Sequence, residues 1–383
     1  MNPVRIGIIG LGNMGSCHAR NIAKIRDARL AGVCDIVKHK ADAFARELSV
    51  PAFYDASAMI GSGRVDAVII ATPHYSHTTI GIEALGAGLH VLVEKPISAH
   101  KADCQRLIAA HRNKKQVFCA MFMQRTDPHH YKIRDMVRSG ELGKFTRINW
   151  ICTDWFRSQA YYRSSEWRAT WKGEGGGILL NQCPHNLDLL WWLCGMPSRI
   201  TAVCNLGKWH DIEVEDEVNA FLEYKNGATG MFVATTGEAP GTNRLEICGE
   251  QGKIVLENNA ISFTRNTVPM SKFCAITPEL FSTPERWHIA IPANGNGGQH
   301  NEIIQNFVDA VLRGTPLIAP AEEGVHSVEL ANAMLYSSLT KKPVDLPLDA
   351  AVYERALKRL IASSKKKKTV RETGPVDMAK SFK

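Results

Sequence analysis

The N-terminal stretch restricts the fold more sharply than any other part of the chain. An apolar run from Val4 to Ile9 leads into Gly10, Leu11, Gly12, Asn13, Met14 and Gly15. A helical stretch to about Ile25 follows, then a second apolar run from Leu30 to Cys34 that ends at Asp35. Glycines at this spacing serve a backbone that must pass close to something. The first two let the turn approach a pyrophosphate, and the third lets helix pack on strand. The helix N-terminus then faces the phosphate charge. Asp35 lies twenty positions after Gly15, where a carboxylate accepts from ribose hydroxyls and repels a 2′-phosphate. The pattern predicts a dinucleotide site that favours NAD over NADP, with Lys38, His39 and Lys40 nearby softening the preference. The competing reading is a tight turn with no ligand.

The alternation continues. Ala67 to Ala71 reads as a strand, followed by Thr72, Pro73, His74 and a helix to about Ala87. Val91 to Val93 is a further strand ending in Glu94, Lys95 and Pro96, and Val117 to Ala120 is the last of this sheet. Strands alternating with helices imply a parallel sheet with ligands beyond the carboxyl ends of its strands, which places Thr72, Pro73, Glu94 and Lys95 at the cofactor edge. Lys95, an ammonium between a carboxylate and a rigid proline, is either a surface lysine or a functional one. His74 and His77 have a metal-like spacing, but no Cys, His or carboxylate cluster completes a site. They are read as loop and helix-start residues beside the cofactor, and no metal is expected.

From about Met121 the character changes, which divides the chain into a Rossmann domain over 1–122, a second domain over 123–363 and a basic tail over 364–383. A helix is expected over Pro128 to Arg138 and a strand over Gly143 to Thr153. Aromatic and basic residues then crowd together: Trp155, Phe156, Tyr161, Tyr162, Arg163, Trp167, Arg168, Trp171 and Lys172. Such a cluster is either core or the wall of a sugar-binding cleft, where aromatic faces with interleaved donors are useful. Arg125, Trp155, Tyr162, Trp167, Arg168 and Trp171 are the candidate substrate contacts from this part of the chain.

Next comes the run from Gly173 to Gly195. Its consecutive Gly175, Gly176 and Gly177 suit a close backbone approach, since each costs roughly 1 kcal/mol in a helix. A continuous apolar helix is expected from about Ile178, stopped by Gly195 and Pro197. Asn181 and His185, four residues apart, would share one side of it. His185 is then either a hydrogen-bonded core histidine or a general base beside a desolvated pocket. Alternating segments at Ile200 to Leu206, Glu217 to Tyr224, Thr229 to Thr235, Arg244 to Cys248 and Lys253 to Glu257 predict a mostly antiparallel sheet. Helices from His300 to Leu312 and Gly324 to Thr340, the segment Val344 to Leu348 and a terminal helix to about Ala362 close the chain. There are no internal repeats.

Bulk composition excludes several classes. A chain of 383 residues, 45% of them hydrophobic, can bury two cores. Of the net charge of +8, the seven basic and two acidic residues between Lys365 and Lys383 supply +5, so the body is nearly balanced and nucleic-acid binding is not expected. No apolar run approaches membrane-spanning length and no signal peptide is evident. Ten cysteines without a Cys-x-x-Cys pair read as reduced, mostly buried side chains of a cytoplasmic protein.

Taken together, Gly10 to Gly15, Glu94-Lys95-Pro96, Gly175-Gly176-Gly177 with His185, and the closing segment Phe307 to Ser338 resemble the glucose–fructose oxidoreductase/inositol dehydrogenase/rhizopine catabolism protein family. The resemblance covers residues 4 to about 350. It implies a Rossmann domain, a C-terminal α+β domain with an open-faced sheet, dimers or tetramers built through that sheet, and a cis peptide between Lys95 and Pro96. It also implies that Lys95 and His185 are the catalytic lysine and histidine, His185 accepting a proton from a sugar hydroxyl while Lys95 holds the oxygen. Many relatives carry Asp where this chain has Asn181, whose amide can orient or hydrogen-bond but not raise the basicity of the histidine. The pattern Asn-Gln-x-Pro-His is similar to that of members oxidising a glycoside ring hydroxyl to a ketone.

The expected activity is an NAD-dependent dehydrogenase acting on a carbohydrate, polyol or glycoside. The alternatives are a glycoside-cleaving enzyme that recycles its NAD and a non-catalytic sensor of sugar or NAD.

Overall fold

The computed structural model describes residues 2–364; the lysine run from Lys365 onward lies outside them. Fifteen strands form two sheets. The first holds β1 (Val4–Ile9), β2 (Ala28–Cys34), β3 (Ala52–Phe53), β4 (Ala67–Ile70), β5 (His90–Val93) and β6 (Phe118–Ala120), paired in parallel in the order β3-β2-β1-β4-β5-β6. Successive strands are added on one side of β1 up to β3 and on the other side from β4, so a crevice opens between β1 and β4 at the carboxyl ends of those parallel strands. Buried on both faces, the strands carry unbroken apolar runs: all four residues of β4 are sealed from solvent.

The second sheet holds β7 (Phe145–Cys152), β8 (Arg199–Leu206), β9 (Glu215–Glu223), β10 (Thr229–Thr235), β11 (Asn243–Gly249), β12 (Gly252–Glu257), β13 (Ala260–Asn266), β14 (Arg286–Ile291) and β15 (Val344–Asp345). Their order is β14-β13-β12-β11-β7-β10-β9-β8-β15, antiparallel except where β7 runs parallel to β10. Alternation decides which face is covered. Ile200, Ala202, Ala220, Leu222, Phe232, Ile148 and Trp150 point into the core, while Val203, Phe221, Met231 and Ile151 stay exposed on the opposite face.

Two differences from the sequence reading matter for function. The apolar helix expected from Ile178 is two helices, Ile178–Asn181 and Pro184–Cys194. Pro184 lacks the N–H that a continuous helix would use, and it sits instead in the first turn of the second helix, where that N–H is not needed. Asn181 and His185 therefore do not lie one turn apart on a common helix. The chain also returns to its first core: Ile303, Ile304, Phe307 and Val308 of the helix Gln299–Arg313 pack with the parallel sheet, together with Ala319, Ala321 and Val328. Residue 122 thus ends the first pass through that core, not the core itself. Strands β13 and β14 extend the sheet beyond the expected segments; β13 is joined to β12 by the Asn258-Asn259 turn, both residues at positive φ. No helix among the described residues is long and apolar enough to cross a membrane.

Candidate active site

The glycine loop has the shape its sequence implies. Gly10 has φ +92°, and a Cβ there would lie 2.7 Å from the Ala71 carbonyl oxygen. A Cβ on Gly15 would lie 1.8 Å from the Gly10 carbonyl oxygen. A Cβ on Gly12 would meet nothing, so the backbone there borders open space. The helix Asn13–Asn21 starts at Gly12 without a side-chain cap, leaving its positive end directed at that space. Asn13 is exposed beside it and Met14 half-buried. Asp35 ends β2 with its carboxylate accepting from the Leu11 and Val37 N–H groups, each at 2.8 Å. The carboxylate is thereby fixed against the loop. These residues fit a dinucleotide: the bare Gly12 backbone and uncapped helix suit its phosphates, and Asp35 suits a ribose.

At the same sheet edge, the ring of His77 lies between two main-chain carbonyls, 2.7 Å from Thr72 and 2.8 Å from Pro96. It ties the loop after β4, which carries Thr72 and Pro73, to the turn after β5, where the Lys95–Pro96 bond is cis. The His74 Nδ1 faces the Glu174 carbonyl at 3.1 Å, and burial holds its imidazole down to about 3. Both nitrogens of His77 face carbonyls, and among the described residues no group of three or more His, Cys, Asp and Glu side chains is placed to hold a metal.

Glu94 points beneath this turn. Burial is the largest single influence and would raise its carboxyl, but His18 Nε2 at 2.7 Å, joined by His300 and Lys95, outweighs it and holds the carboxyl at about 2. The ring of His300, from the helix Gln299–Arg313, lies 5.6 Å from that of His18 and is pulled down to about 4, chiefly by burial. Neither His18 nor His300 was anticipated, and nothing in a linear reading links positions 18, 94 and 300.

Lys95 reaches across to the second domain: its Nζ donates to the Asn181 main-chain carbonyl at 2.7 Å. Burial is the main reason its ammonium titrates below the ordinary value, with Arg168 adding to the effect and Glu94 and Glu174 opposing it. His185 faces Phe122 edge-on, ring centroids 6.2 Å apart, and its Nδ1 is sealed without a hydrogen-bond partner. Burial holds the imidazole well below its ordinary value, and the nearby Lys95 and His300 push in the same direction. The ring is therefore neutral at physiological pH, with a lone pair available for a proton.

The Asn181 side chain does not bond His185. Its Nδ2 donates to the Glu174 carboxylate, and its Oδ1 accepts from the Tyr161 hydroxyl at 3.2 Å and from Gln182 at 3.3 Å. Arg168 donates to the same Tyr161 hydroxyl and lies over the Tyr161 and Trp167 rings, 4.3 and 4.7 Å from their centroids. The Gly173-Glu174-Gly175 sequence held the one clue to this carboxylate: an acidic side chain in a glycine turn leading straight into an apolar helix.

The aromatic block divides. Trp167 and Arg168 are half-buried beside Asn181, whereas Trp155, Tyr162 and Trp171 belong to the core of the second domain. Their polar handles are met internally: the Trp155 indole donates to Asn186 at 3.3 Å and the Tyr162 hydroxyl pairs with Thr236 at 2.7 Å. The Trp171 main chain accepts from Tyr75 and donates to Glu213, both at 2.8 Å. Arg125 is likewise not in the cleft. It is fully buried, bonded by two nitrogens to Asp188 at 2.7 and 2.8 Å, and paired with Glu323. With four of its five N–H donors met by Asp188, Glu323 and the Ile318 carbonyl and the side chain sealed from solvent, this guanidinium is not presented to a substrate.

Comparison with known proteins gives matches along most of the chain. Residues 4–122 match the model described as "Oxidoreductase family, NAD-binding Rossmann fold", and residues 130–255 match the "GFO/IDH/MocA C-terminal domain". The chain is 26% identical over 353 residues to a myo-inositol 2-dehydrogenase of Thermotoga maritima, covering 90% of this chain and 98% of that protein. It is 26% identical over 368 residues to a scyllo-inositol 2-dehydrogenase (NAD(+)) of Bacillus subtilis, covering 91% and 98%. Among solved structures it is similar to the WlbA dehydrogenase from Bordetella pertussis in complex with NADH and UDP-GlcNAcA. That match has a TM-score of 0.77 and 26% identity, over 91% of this chain and 100% of the other.

Proposed function

Since the chain belongs to the GFO/IDH/MocA family of oxidoreductases, we propose that it is an NAD-dependent dehydrogenase oxidising a secondary hydroxyl on a sugar, polyol or glycoside ring. The observation that carries this reading is the Lys95 ammonium seated on the Asn181 carbonyl, in the same electrostatic neighbourhood as the neutral His185 ring. NAD, when bound, supplies the acceptor for the hydride leaving the substrate carbon. His185 accepts the hydroxyl proton at its unprotonated ring nitrogen, because burial has kept that nitrogen free at working pH. Lys95 donates to the substrate oxygen and offsets the negative charge that builds on it as the O–H bond breaks. Asn181 lines the site with its Oδ1 accepting from Tyr161 and Gln182, and a substrate hydroxyl reaches that oxygen by displacing one of them. Gly12 and Asp35 align the cofactor, so the protein adds alignment to the proton-handling of His185 and Lys95.

The half-buried Trp167, with Arg168 over it, gives the cleft a rim that suits a bulky aglycone. A glycoside whose ring hydroxyl becomes a ketone is therefore the substrate class we favour within this reading. The exposed Val203, Phe221, Met231 and Ile151 form an apolar row on the open sheet face, and we assign that face to a second copy of the chain in a dimer or tetramer.

The test is a screen of monosaccharides, inositols and glycosides with NAD, following the reduced cofactor and the sugar product together. Reduced cofactor equal to ketone formed supports the dehydrogenase. Sugar product without net reduced cofactor points instead to glycoside cleavage with recycling, and no turnover of any member of the panel removes the proposal.

A further inference from the structure

Lys95 is half-buried and its ammonium donates to a carbonyl, so the negative charge facing it comes from groups it does not touch directly. One carboxylate, Glu94, favours the ammonium more strongly than any other group and is held in place by its own partners. Its Oε1 lies 2.7 Å from His18 Nε2 and its Oε2 accepts from the Lys95 main-chain N–H at 3.1 Å. On the opposite wall lies Glu174, 1% exposed. Its carboxylate accepts from the Asn181 Nδ2 on one oxygen and the Ala169 N–H on the other, with the Arg168 guanidinium at 4.0 Å. The acceptor-only chemistry of an ionised carboxylate matches these donors.

This arrangement has two consequences for Asn181. With Nδ2 committed to Glu174, the amide has one orientation, and its Oδ1 faces Tyr161. The same residue's carbonyl receives the Lys95 ammonium. A carboxylate and an ammonium are thus bonded to the same residue at the junction of the two domains, Glu174 to the Asn181 side chain and Lys95 to its main chain.

We propose that Glu174 is a positioning residue of the active site, fixing the Asn181 amide and adding, from the second domain, to the negative charge that Glu94 presents to the Lys95 ammonium. This rests on the dehydrogenase reading for its purpose but not for its test. When His185 takes the substrate proton, two cationic groups share a buried space, and Glu174 offsets the second of them. Position 181 can then be a neutral residue because the charge is provided one hydrogen bond away.

The experiment reads Lys95 directly. The rate at which cyanate carbamylates Lys95 in the full-length protein, followed by peptide mass spectrometry across a pH series, gives the pH at which the amine is half deprotonated. In Glu174→Gln, which keeps the volume and an acceptor toward Asn181, that pH falls by about one unit, a roughly tenfold gain in reactivity at fixed pH. Restoring the charge in Glu174→Gln/Asn181→Asp moves it back. With a substrate in hand, Glu174→Gln lowers kcat and moves the alkaline limb of the kcat profile to lower pH, with KM little changed. If Glu174→Gln does not fold, Asn181→Asp alone adds a second carboxylate beside Lys95, and its half-deprotonation pH rises. An unchanged Lys95 titration in the variant that folds overturns the proposal. A shifted titration in a protein that oxidises no polyol or glycoside leaves this inference standing and removes the dehydrogenase reading instead.

Discussion

The Lys95 ammonium, which follows the fifth strand of the parallel sheet, donates across 2.7 Å to the main-chain carbonyl of Asn181, the last residue of the short helix Ile178–Asn181. That hydrogen bond joins the domain of the parallel sheet to the second domain, beside the contacts of His74 with the Glu174 carbonyl and of Tyr75 with the Trp171 carbonyl. The Asn181 carbonyl is available only because that helix stops there and a new one begins at Pro184.

Lys95→Ala and His185→Ala each lower kcat roughly 100-fold or more while leaving NAD affinity close to that of the parent. Steady-state kinetics paired with cofactor titration separates the two effects. Near-normal turnover in either variant takes that residue out of the mechanism.

Asp35→Ala weakens NAD binding by about tenfold, ~1.4 kcal/mol, and narrows the preference over NADP. Part of the loss comes from the glycine loop itself, because the Asp35 carboxylate accepts the Leu11 N–H. Calorimetric titration with both cofactors checks it; an unchanged ratio of affinities places the ribose elsewhere.

Arg125→Met destabilises the fold by about 3–5 kcal/mol, since Asp188 is left buried without its cation. Denaturant unfolding measures this loss. If stability were kept and only KM rose, Arg125 would be a substrate contact after all.

Glu215 gives the stability a pH dependence. Its carboxylate accepts from the Gly177 and Leu179 N–H groups at 2.8 and 3.1 Å, bracing the turn before the helix that bears Asn181. Burial outweighs those bonds and raises its pKa from 4.5 to about 7. The folded chain holds this proton at pH values where the unfolded chain has released it. The contribution to stability is therefore full below about pH 4.5 and lost as pH rises through about 7. Such a difference is worth on the order of 3 kcal/mol. Glu215→Gln removes that part of the decline, so the melting temperatures of variant and parent diverge in slope between mildly acidic and neutral pH. Parallel slopes would show that Glu215 does not titrate there.

What local pattern could determine, it determined well. The glycine spacing with Asp35, the unbroken apolar strands and the helix Pro128–Arg138 are properties of neighbouring residues, and the structure has them where the sequence places them. The same holds for the period-two strands around Thr229–Thr235. The composition of a segment says less about which side of it is buried in three dimensions. Trp155, Tyr162 and Trp171 read equally as core or cleft until a second sheet supplies Thr236 and a second helix Asn186 for their polar ends.

The partners of charged groups lay further still from a linear reading. Arg125 finds Asp188 and Glu323, His18 finds Glu94, and Lys101 finds Glu329, across separations of 63 to 228 residues. Only packing creates those pairs, because burial makes an unmatched charge expensive and the fold alone decides which opposite charge is near enough to match it. Residue type and spacing were sufficient to name Lys95 and His185 as candidates. That Glu174 stands behind Asn181, and that Pro184 divides the helix between Asn181 and His185, emerged once the two halves of the chain were packed against each other.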